Sequence, residues 1–542
     1  MKNLLILFLF LPLFQLSAQN SSNPTRIERS NPFAANPLPN ETVTYNNPII
    51  PGFHSDPSVC RVGDDYYLIT STFEYFPGVP VFHSKDLINW EQIGYCIHRK
   101  EQLPSGINIF AATIRFHEDK FYMITTNLSG RSGNFYVTAT NPAGPWSDPV
   151  WINIPGIDPD LFFDNDGKTY VISSPFDLYE INIETGELLS EGHKIWYGTG
   201  GRYAEGPHIY KKDGFYYLMA AEGGTEEAHS ETIARSNNIW GPYTENPANP
   251  ILAHANAAGQ GNPIQGVGHA DIIQAHDNSW WIVFHGYRTV SDKSHHILGR
   301  ETCLAPVSWP KNGWPVVNGN GTATIDMTCP TLPLKPFPKQ TAFEDFDEKE
   351  LGLKWNYIQI PEANNYSLDK HEGFLSLIGS ANNISTQNTS TFIGRRLTDF
   401  YFTATTQIEF DPKNENEEAG IVLLNNGSHF DLMIEKSKGK RFLNVRLQFG
   451  SITYKSEKFS LKPGSVKLRI TGKKSTFTFS YAQGDNNFKD IETVDSKFLA
   501  TETVGFFTGV YVGLYATGNG KKSVVSADFD WFEYLANDAS EK

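Results

Sequence analysis

The chain has 542 residues, 39% of them hydrophobic, which is enough for two or three domains with substantial cores. Its formal net charge is -15 and its acidic residues are spread along the chain. It therefore lacks the basic surface of a nucleic-acid-binding protein and the polybasic patch of a membrane-surface protein. A neutral or cationic ligand fits this charge better, and the 13% aromatic content indicates stacking surfaces, although β-rich cores also use aromatic residues.

Residues 1–18 have the pattern of a secretory signal peptide: Lys2, an apolar run over 4–14 and small residues ending at Ala18. A membrane anchor is the alternative, but the apolar run is too short to span a bilayer. Position 19 is Gln rather than Cys, so the attachment residue of a lipoprotein is missing. We expect a mature protein that is secreted or periplasmic, with a polar lead over residues 19–45.

A similar phrase then occurs five times, as "DPSVCRVGDDYYLITS", "AATIRFHEDKFYMITT", "DPDLFFDNDGKTYVISS", "EGPHIYKKDGFYYLMAA" and "HADIIQAHDNSWWIVFH". Each copy has the pattern of a β-hairpin with a polar turn. The copies recur every 47 to 64 residues, as counted between the aromatic positions Tyr67, Tyr122, Tyr170, Tyr217 and Trp281. About four strands per repeat predicts a five-bladed β-propeller over residues 46–330, with an array of β-sandwiches as the rival.

The first strand of each blade lines the central channel of a propeller, so equivalent positions should cluster at one end of the axis. Aligning the five hairpins on their second strands gives Asp56, Ala111, Asp158, Glu205 and His269. Three are carboxylates, which suits acid-base chemistry on a glycosidic bond: one protonated group, one ionised group, and a third carboxylate that raises the pKa of the acid. The alternative is local, since Asp-Pro also marks strand starts and Glu-Gly-Pro also forms turns.

Several segments in the same order resemble family 43 glycoside hydrolases, five-bladed propellers that include β-xylosidases and α-L-arabinofuranosidases. They are "NPIIPGFHSDPSVCRVGDDYYLITSTFEYFPGVPVFHSKDLINW", "GIDPDLFFDNDGKTYV", "AEGPHIYKKDGFYYL" and "LGRETCLAPVSW". The resemblance implies that Asp56 is the general base, Glu205 the general acid, and Asp158 the residue that tunes and orients the acid. The family inverts configuration, which requires a base and an acid roughly 6.5 to 9.5 Å apart.

The resemblance also implies secondary site residues. Arg300 matches an arginine that contacts the terminal sugar, with a buried ion pair as the alternative, and Phe73 matches an aromatic wall of the pocket, with a core aromatic as the alternative. Phe110 stands where relatives often have Trp. His269 matches a histidine that holds a central calcium ion in some relatives, often through water, but calcium prefers oxygen ligands and a purely polar role is the alternative. Catalysis as inferred requires no cofactor.

A proline-rich linker over residues 331–342 precedes a segment with strand-like alternation over 343–536, which predicts an antiparallel β-sandwich. "FEDFDEKELGLKWNYIQIPEANNYSL" and "ADFDWFEY" resemble the concanavalin A-like C-terminal domain of many β-xylosidases. Such a domain either binds sugars or shapes the active-site pocket. For pocket shaping, the candidate loop is "FFTGVYVGLYATG", with Phe507 or Tyr511 at its tip.

The sequence thus predicts an all-β, inverting exo-glycosidase that releases terminal xylose from β-1,4-xylo-oligosaccharides. An α-L-arabinofuranosidase acting on arabinose-containing glycans is the alternative, and a non-catalytic glycan-binding propeller is disfavoured by the presence of all three acids. We expect neither nucleic acid nor membrane as a partner. The four cysteines, Cys60, Cys96, Cys303 and Cys329, permit three disulfide pairings, and buried thiols are the alternative.

Overall fold

The structure is a computed structural model, and it describes residues 43–537 except 256–258, 260, 291–294, 330–331, 339–340, 387, 486 and 506. The predicted signal peptide and most of the predicted lead lie outside the described residues. No helix in the described part of the chain is long and apolar enough to cross a membrane.

The first strand, β1 (Val43–Asn46), precedes five antiparallel sheets. The first sheet contains β2 (Ser58–Val62), β3 (Asp65–Ile69), β5 (Gly78–Ser84) and β6 (Glu91–Ile97), while β4 (Tyr75–Phe76) pairs elsewhere. The second contains β7 (Ile109–His117), β8 (Lys120–Asn127), β9 (Gly133–Ala139) and β10 (Val150–Ile152). The third contains β11 (Asp160–Phe163), β12 (Thr169–Ser173), β13 (Asp177–Asn182), β14 (Glu187–Leu188) and β15 (His193–Lys194).

The fourth sheet contains β16 (Glu205–Lys212), β17 (Phe215–Glu222), β18 (Ser230–Ser236), β19 (Thr244–Glu245) and β20 (Leu252–Ala253). The fifth contains β21 (Ile264–Gln274), β22 (Trp280–Arg288), β23 (Glu301–Ser308) and β24 (Val316–Val317). The first strands of neighbouring sheets contact one another in a closed ring, β2 with β7, β7 with β11, β11 with β16, β16 with β21 and β21 with β2. The expected five-bladed propeller is confirmed, and its axis runs between these five strands.

Turn chemistry explains the hairpins. Glu118 and Asp119 connect β7 to β8 as a two-residue loop in which both residues have positive φ, +46° and +60°. Asp213 and Gly214 do the same between β16 and β17, at +49° and +82°. Paired positive φ values define the type I′ turn, whose twist matches that of the flanking strands. These two turns therefore set the register of blades two and four.

A half-buried arginine connects three blades below the predicted site. Arg115 of β7 donates from Nη1 to Asp271 Oδ2 and from Nη2 to Asp160 Oδ2, each at 2.9 Å. Both aspartates are almost fully buried. A buried carboxylate requires a charged partner. Arg115 of blade two therefore neutralises the carboxylates of Asp160 in blade three and Asp271 in blade five.

A latch closes the ring. Strand β1 pairs antiparallel with β25 (Asp326–Cys329), which follows the fifth blade. Asn47 adds two hydrogen bonds to Leu304 of β23, donating from Nδ2 to its carbonyl at 2.9 Å and accepting its N–H at 2.8 Å. Strand β1 includes the last three residues of the predicted polar lead. The sequence near residue 43 does not show this strand, because its partner lies nearly 300 residues further along the chain.

The C-terminal part is a sandwich of two antiparallel sheets. The strands of the first sheet are β26 (Phe343–Glu344), β28 (Tyr366–Ser367), β29 (Leu375–Ile378), β31 (Tyr401–Glu409), β37 (Val466–Lys473), β38 (Thr476–Ala482), β39 (Lys489–Asp495) and β41 (Ser526–Ala536). Those of the second are β30 (Phe392–Arg396), β32 (Glu418–Asn425), β33 (Ser428–Ser437), β34 (Lys440–Phe449), β35 (Ile452–Lys455), β36 (Phe459–Ser460) and β40 (Tyr511–Thr517). Short helices occupy Ala363–Asn365, Ser496–Leu499 and Thr501–Val504, the last named α1. The predicted antiparallel sandwich is confirmed.

The sandwich packs against the propeller over an apolar surface. Strand β27 (Tyr357–Ile358) pairs with β4 of the propeller. Around this pair, residues of both parts form one buried cluster: Phe53, Phe73, Tyr75, Ile358, Ile384, Phe392, Val422, Leu424, Met433, Tyr511 and Tyr515. Gly299 and Gly509 meet back to back, where a Cβ on Gly299 would lie 2.9 Å from the Gly509 nitrogen. This close approach positions the chain on either side, Arg300 in the propeller and Phe507 in the sandwich.

Three cysteines are buried and form no disulfide: Cys60, Cys96 and Cys303. Burial raises the pKa of each thiol. For these three residues the structure therefore agrees with the alternative of buried thiols, while the side chain of Cys329 lies outside the described part.

Candidate active site

A small pocket of ≈ 70 Å³ opens at one end of the propeller axis. It is lined by Asp56, Phe73, Phe110, Ala111, Ile157, Asp158, Glu205, Thr225, His269, Arg300 and Phe507. All five positions that the hairpin alignment selected are present in this lining. The three predicted acids therefore come together in one cavity, as the alignment requires.

Backbone conformation explains how the acids reach the axis. Asp56, Asp158 and His269 all have left-handed φ angles, of +54°, +53° and +47°. Asp56 and Asp158 each lie two residues before a first strand, and His269 lies within β21, where the ladder with β22 is irregular between Gly268 and Asp271. A left-handed residue turns the chain sharply at each of these points. Next to Glu205, Gly206 is also left-handed at +56°, and the ladder of β16 is irregular between Glu205 and His208. Such strained positions concentrate at functional sites.

Asp56 is the most heavily bonded of the three acids. Its Oδ2 accepts from Ser71 Oγ at 2.5 Å and from Ser55 Oγ at 2.9 Å, and its Oδ1 accepts from Arg300 Nη1 at 2.7 Å. His285 Nδ1 lies 3.0 Å from the same Oδ1. These contacts fix the orientation of the carboxylate in the pocket.

The charge on Asp56 is stabilised by the same neighbours. Burial alone would raise the pKa of this carboxyl, but the Arg300 guanidinium, with His269 and His285, holds it well below its usual value of 3.8. A carboxylate that stays ionised in a buried site can accept a proton from water.

Glu205 has the opposite shift. Burial, and then the negative charge of Asp56, raises the pKa of Glu205 to about 7, although Arg300 opposes the change. Burial, followed by the charges of Glu205 and Asp56, also raises the pKa of Asp158 well above its usual value, while the N–H of Gly206 favours its ionised form. Glu205 and Asp158 therefore hold a proton between them near neutral pH.

Aromatic rings form the walls of the pocket. The Phe73 ring lies 5.0 Å from that of Phe110 and 5.5 Å from that of Phe507, between ring centroids, and the Phe110 and Phe507 rings lie 6.0 Å apart. The Arg300 guanidinium lies over Phe73 at 5.8 Å and Phe507 at 5.5 Å. The buried ion pair of Arg300 with Asp56, which was the alternative drawn from the sequence, is present and lies in the lining of the pocket, while contact of Arg300 with a sugar stays a prediction. Phe73 likewise lines the pocket and packs in the core.

The candidate loop of the sandwich contributes one of its two proposed residues. Phe507 lines the pocket. Tyr511 does not, which corrects its prediction as a substrate-binding residue: it is fully buried in β40 and stacks on Tyr75 at 3.8 Å between ring centroids. The reason is the strand itself, because residues from Tyr511 onward join the sheet and only the preceding loop is able to reach the propeller axis.

Some residues of the site were missed from the sequence. His285 contacts Asp56 from the end of the second strand of blade five, and Ser71 does so after the second strand of blade one. Ile157 and Thr225 complete the wall. The alignment selected the first position of each repeated phrase, whereas Ser71 and His285 occupy the last position, Ile157 precedes the third phrase and Thr225 follows the fourth. The neighbouring ends of second strands were the signal that could have found His285 and Ser71.

Asp56, His269 and His285 also form a group with metal-ligand chemistry, with their ligand atoms within 4.8 Å of one another. This donor set does not fit calcium, because it offers two imidazole nitrogens and one carboxylate. Asp56 Oδ1, moreover, already accepts from the Arg300 cation at 2.7 Å. His269 Nδ1 lies 3.6 Å from the same oxygen, and burial lowers the pKa of His269 to about 3, so the ring is neutral.

Taken together, a five-bladed propeller with three carboxyl groups of opposed pKa shifts in a small aromatic pocket is the architecture of a glycoside hydrolase. The chain belongs to glycosyl hydrolases family 43, whose model matches residues 45–315. The β-xylosidase C-terminal concanavalin A-like domain matches residues 344–535. The resemblance drawn from the sequence motifs is confirmed.

Individual relatives span almost the whole chain. A non-reducing end α-L-arabinofuranosidase of Bacteroides ovatus is 44% identical over 91% of this chain and 95% of its own length. A xylosidase/arabinosidase of Butyrivibrio fibrisolvens is 38% identical over 90% and 99%. A solved Bacteroides ovatus structure, described as xyloglucan PUL GH43B, has a TM-score of 0.88 at 43% identity and covers 91% of this chain and 100% of that one.

Proposed function

We propose that this glycoside hydrolase is an inverting exo-enzyme that releases one pentose at a time from the non-reducing end of a glycan. The observation that carries the proposal is the pocket itself, in which three acids share ≈ 70 Å³ behind three phenylalanines. Small-molecule sites in proteins usually hold about 300–1,000 Å³. A pocket this small suits one terminal sugar ring rather than the interior of a chain.

In this mechanism, Asp56 takes a proton from a water molecule, and the water oxygen attacks the anomeric carbon. Glu205 donates its proton to the glycosidic oxygen as the bond from that oxygen to the anomeric carbon breaks. A single displacement inverts the configuration of the sugar. The pKa shifts support these roles, since Asp56 is held ionised and the pKa of Glu205 is raised to about 7.

Asp158 supports the acid. Its charge and that of Glu205 repel each other, which favours retention of a proton on the pair. Asp158 accepts a hydrogen bond from the N–H of Gly206, the residue that follows Glu205 in the chain. This bond orients Asp158 beside Glu205. Arg300 holds Asp56, while Phe73, Phe110 and Phe507 enclose the sugar and His269 lines the floor.

Two pentosides are candidate substrates. The sequence motifs favour a β-1,4-linked xylose at the end of a xylo-oligosaccharide. The second candidate, a terminal α-L-arabinofuranose, is favoured by the relative at 44% identity, which is an α-L-arabinofuranosidase. The relative at 38% identity is described as a xylosidase/arabinosidase, which supports keeping both sugars as candidates.

Hydrolysis of the nitrophenyl glycosides of β-D-xylose and α-L-arabinofuranose decides between the two, through the ratio of their kcat/KM values. NMR of the first-formed sugar, recorded before mutarotation, tests the mechanism. We expect the anomer opposite to that of the substrate. Release of the same anomer would overturn the inverting mechanism, and release of internal fragments from long xylan would overturn exo action.

We further propose that the protein is exported, as a secreted or periplasmic enzyme. The support is the pattern of residues 1–18, with one basic residue, a short apolar run and small residues before position 19. N-terminal sequencing of the mature protein from culture medium and periplasmic extract should begin at or near residue 19. Recovery of the uncleaved chain in the cytoplasm would refute this proposal.

A further inference from the structure

A second cavity lies between the first blade and the sandwich, and it shares no residue with the active-site pocket. Its volume is ≈ 710 Å³. We call it the interface pocket and define it by Trp90, Gln92, Phe337, Lys354, Arg395 and Arg396, all of which line it. The size matches the usual range of small-molecule sites, about 300–1,000 Å³.

The polar groups of the interface pocket are mostly donors without acceptors. Among the residues that the structure describes, neither Lys354 nor Arg395 forms an ion pair or a side-chain hydrogen bond. The Nε2 of Gln92 and the Nη2 of Arg396 are buried and likewise find no partner in the described part of the chain. Because these two nitrogens are buried, each carries a free-energy cost unless something accepts from it.

The charges of the interface pocket also favour an anionic ligand. Partial desolvation, and then the neighbouring Arg395, lowers the pKa of Lys354 to about 8, although the residue is exposed to solvent. Burial also lowers the pKa of Arg395, against the opposing charges of Asp399 and Glu344, and its guanidinium lies over the Tyr534 ring at 4.9 Å. Glu91 is the sole acid among the lining residues, and its Oε1 lies 3.4 Å from His83 Nδ1. An anion in the pocket would therefore meet two or three cations and would relieve the repulsion between them.

The remaining lining is apolar and aromatic. Trp90 donates from its indole nitrogen to the Leu87 carbonyl at 2.8 Å, which fixes the ring while its face remains on the pocket. Phe82 and Phe337 lie on the same cavity. A small inorganic anion would leave these surfaces uncovered, whereas a sugar ring presents apolar C–H faces to aromatic rings and hydroxyl groups to donors.

We propose that the interface pocket is a second saccharide site that binds a uronic acid, a sugar that carries a carboxylate. Lys354 and Arg395 bind the carboxylate, and Trp90 and Phe337 contact the ring of the sugar. The site is separate from the hydrolytic pocket. Its occupancy does not depend on which pentoside the enzyme cleaves.

The test measures binding of D-glucuronic acid and D-glucose to the full-length protein by saturation-transfer NMR and calorimetry. The two sugars differ in one carboxylate, so we expect glucuronate to bind about tenfold more tightly. Lys354→Gln and Arg395→Gln should each weaken glucuronate binding about tenfold, and a rise in salt should weaken it in the unmodified protein. Lys311→Gln, an exposed lysine outside this pocket, is the matched control and should change nothing.

Equal binding of glucose and glucuronate would overturn the proposal, as would glucuronate binding that neither variant alters. Inorganic phosphate is the third probe, and tighter binding of phosphate than of glucuronate would mean an inorganic-anion site. Circular dichroism shows whether each variant is folded. If a variant fails to fold, the sugar comparison and the salt series on the unmodified protein still decide. No hydrolysis is measured, so failure here leaves the proposed mechanism untouched.

Discussion

At the scale of single residues, Arg300 does most to set the chemistry of the pocket. Its Nη1 lies 2.7 Å from Asp56 Oδ1, and its guanidinium lies over Phe73 and Phe507. Without this cation, burial would raise the pKa of Asp56, as it does for Glu205 and Asp158. One arginine therefore separates an ionised base from a protonated acid within a single cavity.

The pH dependence of kcat/KM should show this separation. The acid must be protonated, and the pKa of Glu205 is about 7, so activity should fall as the pH rises through about 7. The base must be ionised, and the pKa of Asp56 is held well below 3.8, so activity should persist as the pH falls towards 4. A pH-rate profile with a xylo-oligosaccharide, whose leaving sugar requires a proton from the acid, is the measurement. A profile that rises above pH 7 would contradict the assignment.

Glu205→Ala tests the acid directly. The loss of kcat should be about 10²–10⁴-fold on natural oligosaccharides, whose leaving sugar requires a proton. It should be much smaller on nitrophenyl pentosides, because nitrophenolate leaves without help. Glu226→Ala is the control, since Glu226 also raises the pKa of Glu205 but does not line the pocket. Equal losses on both substrates for Glu205→Ala would mean that Glu205 is not the acid.

Residue identities in the site were predictable wherever a repeat carried them. The hairpin alignment selects Asp56, Asp158, Glu205 and His269, and the structure brings all four into one pocket. It does not find His285 or Ser71, because it selects the first position of each repeated phrase, whereas these two residues occupy the last position of their phrases. The pKa shifts also lie beyond sequence reasoning, since they depend on distances across blades.

At the scale of elements, the loop before β40 is where the sandwich enters the active site. Thr501 N–H donates to the His296 carbonyl at 3.1 Å, and His296 Nδ1 lies 2.6 Å from Glu502 Oε1. These contacts hold α1 and the loop that follows it against the propeller. Phe507 is thereby positioned over Arg300.

Phe507→Ala should remove one wall of the pocket and reduce kcat/KM about tenfold, chiefly through a higher KM, because sugar binding loses an apolar contact. Phe498→Ala is the matched control: Phe498 lies in the same region and is 43% exposed. Steady-state kinetics with a nitrophenyl pentoside measures the effect. Unchanged kinetics in Phe507→Ala would show that the sandwich does not shape the pocket.

Arg115→Met should destabilise the propeller by about 3–5 kcal/mol, because it leaves Asp160 and Asp271 buried without their cation. Urea unfolding of the two proteins measures the difference in the free energy of unfolding. Lys120→Met, which removes a surface ion pair with Glu184 on the same hairpin, should cost no more than about 1 kcal/mol. Similar losses for the two variants would show that the network under the site is dispensable.

Elements were predictable in proportion to their length. The alternation of apolar residues and the polar turns predict all five hairpins, and the structure has them, with type I′ turns at Glu118-Asp119 and at Asp213-Gly214. The two-residue strands β4 and β27 carry no such pattern and form only because the two halves of the chain meet there. Tyr511 shows the same limit, since a strand boundary decides whether a residue points to the site or to the core.

At the scale of the whole molecule, the sandwich covers an aromatic surface of the propeller that would otherwise be exposed to water. Phe53, Phe73 and Tyr75 are each at most 2% exposed, and residues of the sandwich complete their cluster. Arg396 strengthens the contact by donating from Nε to the Phe53 carbonyl at 2.6 Å. The interface is continuous with the wall of the active site through Phe73.

A chain that ends at residue 342 should therefore lose both solubility and activity, because it exposes an aromatic patch and lacks Phe507. Expression of the shortened and full-length chains side by side, with the soluble fraction and nitrophenyl pentoside hydrolysis as readouts, measures both effects. A soluble shortened chain with full activity would show that the two parts are independent.

The latch at the start of the propeller bears on how the protein is made. Asn46 bonds to Asp326, 280 residues further along the chain. A ribosome must therefore synthesise nearly the entire first domain before its first strand acquires a partner. Contacts of such long separation form late in folding. The propeller therefore lacks the pairing of β1 with β25 through most of its synthesis. The emergence of β25 sets the earliest moment at which this pairing is able to hold all five blades around one axis.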